Sequence, residues 1–149
     1  IGGGIKNDRK FKVAQTGGPS GGCLPAQFLN TPIDYDSLAS AGSIMGSGGL
    51  IVMDETDCMV DVAKFFLEFT QEESCGKCTP CREGTRHSHE ILVRLAGGFG
   101  REDDIEELGN LADVMQAASF CGLGQSVHLP IKSAMALFGE EFSAGILRN

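Results

Sequence analysis

The sequence predicts an α+β chain, and three observations carry that reading. The first half is rich in glycine and shows only short strand signals. The second half changes to the three-to-four-residue period of amphipathic helices. Four such helices joined by short loops are best buried against one another as a bundle. At 149 residues the chain is long enough for one ordinary domain, or a small one with an appendage. A hydrophobic content of 42% makes a packed core feasible, and aliphatic residues with nine phenylalanines must fill it because tryptophan is absent.

Taken in order, residues 10–15 alternate as a half-buried strand should, and Thr16-Gly17-Gly18-Pro19 ends it. Residues 48–54 read as a second, more buried strand, with a long irregular stretch between the two. A first helix follows over about 58–72, on the spacing of Val62, Phe66 and Phe69. Thr79-Pro80 has the form of an N-cap with proline at the first helical position, and Gly97-Gly98 stop that second helix. Asp103 and Asp104 open a third helix, with Ile105, Leu108, Ala112 and Met115 on one face. Pro130 starts a fourth, striped by Ile131, Ala134, Met135, Phe138 and Phe142. The division falls between residues 1–56 and 57–149.

The chemistry lies in the cysteines. Cys75-Gly76-Lys77-Cys78-Thr79-Pro80-Cys81 is a C-x2-C-x2-C run. Thiolates are soft ligands that select iron–sulfur clusters, zinc or Cu(I). Three at this spacing can wrap three corners of a cuboidal [4Fe–4S] cluster, and a fourth thiolate must then come from elsewhere. Cys121, forty residues after Cys81, lies between the third and fourth helices. In an antiparallel bundle the loops before the second and fourth helices share one end, so Cys121 can meet the triplet. The expected metal ligands are therefore Cys75, Cys78, Cys81 and Cys121. Around them, Gly76, Gly122 and Gly124 permit close backbone approach, and Lys77 and Arg82 supply positive charge to an anionic centre. The helix opened at Pro80 turns its free N–H groups toward Cys81. A zinc-stapled interaction domain or a dithiol redox enzyme would use the same residue type. Zinc usually takes two separated C-x2-C pairs, and no βαβ pattern accompanies the dithiol reading.

Several functions are disfavoured. A formal charge of −8 argues against nucleic acid or an anionic membrane surface as partner. No run approaches the roughly 20 apolar residues of a membrane span, so direct membrane insertion is not expected. Six cysteines without a secretory leader point to a reducing cytoplasm. The opening Ile1-Gly2-Gly3-Gly4, without an initiator methionine, reads as a piece cut from a larger protein. Cys23 and Cys58 stand outside the pattern and read as ordinary thiols. Residues 42–49 lack the Gly-Lys-Ser/Thr ending of a phosphate loop and read as a structural turn. His87 and His89 are two apart on a helix and face different directions, while His128 reads as a loop histidine. Asp54, Glu55, Asp57 and Asp61 read as a solvated turn with a capping aspartate. No Ser–His–Asp arrangement is evident, and nothing in the chain reads as catalytic.

At residues 73–85 (Glu-Ser-Cys-Gly-Lys-Cys-Thr-Pro-Cys-Arg-Glu-Gly-Thr) and 121–125 (Cys-Gly-Leu-Gly-Gln) the chain resembles the family of NADH-binding flavoprotein subunits. That family includes the 51 kDa-type subunit of respiratory NADH dehydrogenase and related subunits of NAD(P)-linked hydrogenases and formate dehydrogenases. Residues 17–23 and 46–55 strengthen the resemblance, the former leaning toward the hydrogenase type, and residues 138–146 resemble the closing helix. Val127-His128-Leu129-Pro130 departs from the family, whose members are usually richer in proline and asparagine there. The resemblance implies that residues 1–56 are the latter part of a β-grasp (soluble ligand-binding) domain, and residues 57–149 a four-helix-bundle domain holding one [4Fe–4S] cluster. It also implies a division of labour in the larger protein. An N-terminal domain absent from this chain binds FMN and NAD(P)H, and electrons pass from the flavin through this cluster onward. The implied partners are that FMN/NADH domain, a 24 kDa-type [2Fe–2S] subunit and other iron–sulfur subunits of a complex. The complex is expected in the cytoplasm, with any membrane association made by other subunits.

Overall fold

The computed structural model describes residues 2–147. Ile1 and Asn149, the outer ends of the two expected segments, lie outside them. Among the described residues the chain is mixed α and β, with one small sheet and mostly helices. Strands β1 (Phe11–Thr16), β2 (Cys23–Pro25) and β3 (Leu50–Asp54) form an antiparallel sheet in the order β2-β1-β3. That order corrects two expectations. β1 does not alternate: Val13, Ala14, Gln15 and Thr16 are all buried, because the strand is central. β3 is the less buried strand, with Leu50, Ile51 and Val52 exposed and only Met53 buried, because it pairs on one side alone.

The stretch expected to be irregular holds β2, two 3₁₀ turns and a short helix, α1 (Tyr35–Ser40). Asp34 caps α1, its carboxylate accepting the Ser37 N–H at 2.7 Å. Ser43, almost fully buried, ties the glycine-rich loops together. Its hydroxyl pairs with that of Thr16 at 2.8 Å and accepts the Gly22 N–H at 2.9 Å.

Among the described residues five helices follow: α2 (Met59–Glu72), α3 (Thr79–Ala96), α4 (Asp104–Ala118), α5 (Gly122–Ser126) and α6 (His128–Ala144). The four long ones correspond to the four periodic segments of the sequence. α3 packs against α2 and α4, and α6 against α2 and α4. Their buried faces meet in one core that includes Leu67, Leu92, Leu108, Met115, Ile131 and Phe142, each 0–2% exposed. Each such side chain contributes roughly 1.5–3 kcal/mol by leaving water. Two boundaries differ from expectation. Cys78, not Thr79, is the N-cap of α3, and α6 opens at His128, ahead of Pro130. α5 was not foreseen, since five residues carry no readable period.

Lys12 joins the sheet to the helices. The β1–β3 register slips between Phe11 and Val13, leaving Lys12 as the extra residue of a bulge, a device that re-aims a side chain. Its ammonium reaches Glu141 Oε1 and the Asp57 carbonyl, each at 2.5 Å, and lies 5.2 Å from the centre of the Phe138 ring. The second oxygen of Glu141 accepts the Met59 N–H at 2.7 Å and so secures the start of α2. At the turn between α3 and α4, Arg94 grips the fully buried Asp104 carboxylate, which also accepts the Arg101 N–H at 2.9 Å.

Candidate metal centre

The starts of α3 and α5 come together, and the cysteines are found there. Cys78 is the N-cap of α3 with extended backbone, Cys81 lies in its first turn, and Cys121 is the extended N-cap of α5. Cys75 precedes them on a loop that turns at Gly76. There φ is +70° and an added Cβ would meet only the Arg82 Cδ at 3.9 Å. The left-handed backbone, not crowding, is what asks for glycine at this turn. Arg82 fixes the loop by donating from Nη1 to the Gly76 carbonyl at 2.7 Å.

α5 is seated on α3 through Gly124. A Cβ there would fall 2.5 Å from Ser119 Oγ, 2.7 Å from Ser119 Cβ and 2.9 Å from Cys81 Cβ. Close approach at this end therefore depends on Gly124, whereas an added Cβ at Gly122 would meet open space. Pro80 stands in the first turn of α3, where its missing N–H costs nothing, and Lys77 is exposed beside Cys78.

All six cysteines are free thiols. Cys78 and Cys81 are buried, at 7% and 5% exposure, while Cys75 and Cys121 face solvent. The centre is thus closed on the protein side and open outward. The backbone N–H of Phe120, and after it that of Cys81, hold the Cys78 thiol below its ordinary value by favouring the thiolate. Burial pushes the Cys81 thiol up. The Ser74 hydroxyl, 3.4 Å from its sulfur, works against that, and the charges of Cys78, Cys121 and Cys75 add to it. Cys78 and Cys81 open α3 and Cys121 opens α5, and these two helix starts pack together at Gly124 and Cys81, with Cys75 on the loop before them. Among the described residues, no three His, Cys, Asp or Glu side chains are gathered closely enough to hold a single metal ion. A four-iron cluster is larger than one ion and takes one thiolate at each corner. The donor set suits that group: four soft thiols and backbone N–H groups at the start of α3.

The remaining candidates lie apart. The Cys23 N–H donates to the Ser133 hydroxyl at 2.9 Å, and burial pushes the Cys23 thiol up. Cys58 is the exposed N-cap of α2. His87 sits 2.5 Å from an Arg86 nitrogen, and His128 donates from Nδ1 to the Gln125 carbonyl at 2.7 Å. Sequence reasoning missed Ser74, Ser119 and Phe120. Each lies within two residues of a cysteine of the constellation, and that proximity is the signal that would have found them.

Residues 61–145 match the family described as the NADH-ubiquinone oxidoreductase-F iron–sulfur binding region. Over 146 residues the chain is 52% identical to the HndC component of the NADP-reducing hydrogenase of Solidesulfovibrio fructosivorans, covering 98% of this chain and 30% of that protein. It is 38% identical over 144 residues to the F component of NADH-quinone oxidoreductase from Mycobacterium tuberculosis H37Rv, covering 97% of this chain and 32% of that protein. The chain thus spans about a third of the length of these relatives. Its fold aligns with a crystal structure of NAD+-reducing [NiFe]-hydrogenase in the H2-reduced state at a TM-score of 0.78 and 30% identity. That alignment covers 95% of this chain and 24% of the other.

Proposed function

This chain belongs to the NADH-ubiquinone oxidoreductase-F iron–sulfur binding family, and from that premise we propose that Cys75, Cys78, Cys81 and Cys121 hold one [4Fe–4S] cluster that relays electrons. The observation that supports the reading is the packing of the starts of α3 and α5, which carry Cys78, Cys81 and Cys121, beside the loop that carries Cys75, all inside the matched region. When bound, such a cluster supplies one-electron transfer at a potential set by its surroundings. The chain's own residues prepare those surroundings. Cys78 and Cys81 exclude water on the inner side, while Phe120 and the first turn of α3 offer N–H groups to sulfur. Gly76 and Gly122 leave the backbone open near the thiols, Pro80 sets the first turn of α3, and Lys77 and Arg82 offset negative charge.

Residues 1–56 serve as the latter part of a β-grasp domain, and residues 57–149 as a four-helix bundle that presents the cluster at one end. In the full protein, electrons arrive from FMN reduced by NAD(P)H on a preceding domain. They leave toward iron–sulfur centres of partner subunits, a 24 kDa-type [2Fe–2S] subunit among them. Among the described residues no helix is long and apolar enough to cross a membrane, and we place the assembly in the cytoplasm. Anaerobic iron and sulfide analysis with low-temperature EPR of the reduced protein tests the reading. About four iron and four sulfide per chain are expected. A colourless protein holding zinc alone would refute it.

A further inference from the structure

Two buried side-chain oxygens lack a hydrogen-bond partner among the described residues, those of Ser88 and Ser119. Ser88 lies two turns beyond Cys81 along α3. Ser119 is different, because it borders the cysteines directly. Its side chain and Cys81 Cβ both press on the point where a Gly124 Cβ would stand. Its backbone is held on both sides: the N–H donates to the Met115 carbonyl at 3.1 Å, and the carbonyl accepts from Gln125 Nε2 at 2.9 Å. The residue is therefore fixed in place and 5% exposed, with a hydroxyl committed to nothing among the described residues. A buried hydroxyl left unbonded is costly, and most such groups in folded proteins find a partner. The Ser74 hydroxyl already stands 3.4 Å from the Cys81 sulfur.

We propose that the Ser119 hydroxyl donates a hydrogen bond to sulfur at the Cys81 corner of the cluster and thereby raises its reduction potential. This rests on the cluster reading above. A proton donated to sulfur favours the reduced form, which carries one more negative charge, so its loss makes reduction harder. Ser119 acts through the cysteine and its cluster as a positioning and tuning residue.

The test compares the full protein with its Ser119→Ala and Ser119→Thr variants, each assayed for iron, sulfide and midpoint potential by EPR-monitored titration. The alanine variant should keep its cluster but be reduced about tenfold less readily, a fall of about 59 mV for a one-electron couple. Threonine, which keeps the hydroxyl, should recover the original potential. Alanine losing the cluster while threonine keeps it would also support the bond. An unchanged potential in the alanine variant, a shift that threonine fails to recover, or cluster loss from both variants overturns the proposal. Absence of iron and sulfide from the unmutated protein would instead bring down the cluster reading itself.

Discussion

Replacing Gly124 with alanine should destabilise the protein and loosen the thiol constellation, while alanine at Gly122, two residues away in α5, should do neither. The added methyl at 124 would lie 2.5 Å and 2.7 Å from the side chain of Ser119 and 2.9 Å from Cys81 Cβ. Carbon atoms rest at about 3.5–4.0 Å, so α5 must withdraw from α3 by roughly 1 Å. Overpacking of this kind costs about 1–3 kcal/mol. Alanine's better helix propensity returns at most about 1 kcal/mol, and less in a helix of five residues. A net loss of about 1–2 kcal/mol remains, read as a fall in Tm of roughly 2–8 °C. At Gly122 nothing lies within 4 Å of the added methyl, so that variant keeps only the propensity gain. Thermal denaturation of both, followed by circular dichroism, gives the comparison, and iron content after reconstitution should fall only for Gly124→Ala. If the two variants melt together, the seating of α5 on α3 through residue 124 is wrong.

Cys121→Ala should abolish assembly of an intact four-iron centre, measured as iron and sulfide per chain; full loading would exclude Cys121 as a ligand. Asp104→Asn should cost about 3 kcal/mol by leaving Arg94 without its buried partner, as read by urea unfolding. Burial alone would raise the Asp104 carboxyl, but the bonds from Arg94 and the Arg101 N–H outweigh it and hold it below its ordinary value. A lowered folded pKa means that this stabilisation is complete above the unfolded value of about 3.9 and is lost as pH falls through the folded one. Below about pH 4 the penalty of Asp104→Asn should therefore shrink. Lys12→Met should loosen the sheet from the helices by about 1–2 kcal/mol, since the Glu141 carboxylate and Asp57 carbonyl lose their shared cation. Hydrogen exchange should then quicken in β1 and at the start of α2.

The four long helices could be read in advance because each repeats its apolar residues at helical spacing and is bounded by glycine, proline or aspartate, signals local to a few turns. The cysteine constellation was equally legible, since C-x2-C-x2-C fixes three thiols within one loop and the first turn of a helix. Cys121 could be joined to them only by supposing which loops share an end. Ser119, Ser74 and Phe120 escaped notice because a serine or phenylalanine near a cysteine has no distinctive chemistry until folding aims it. Gly124 stood out no more than Gly122, yet one is crowded and the other faces open space.

From the sequence alone came the α+β character, the helical periods and the spacing of the soft thiols, all properties of residue type and short-range order. Tertiary structure decided which strand was central. The more hydrophobic β3 lies at the edge, while β1, with Gln15 and Thr16, is buried. Strand order depends on hydrogen bonds between residues far apart in the chain, and hydropathy along one strand carries no record of what covers it. The same holds for Lys12. Only the bulge in β1 turns an ordinary strand lysine toward Glu141, and a change of register has no signature until a second strand is present to define it.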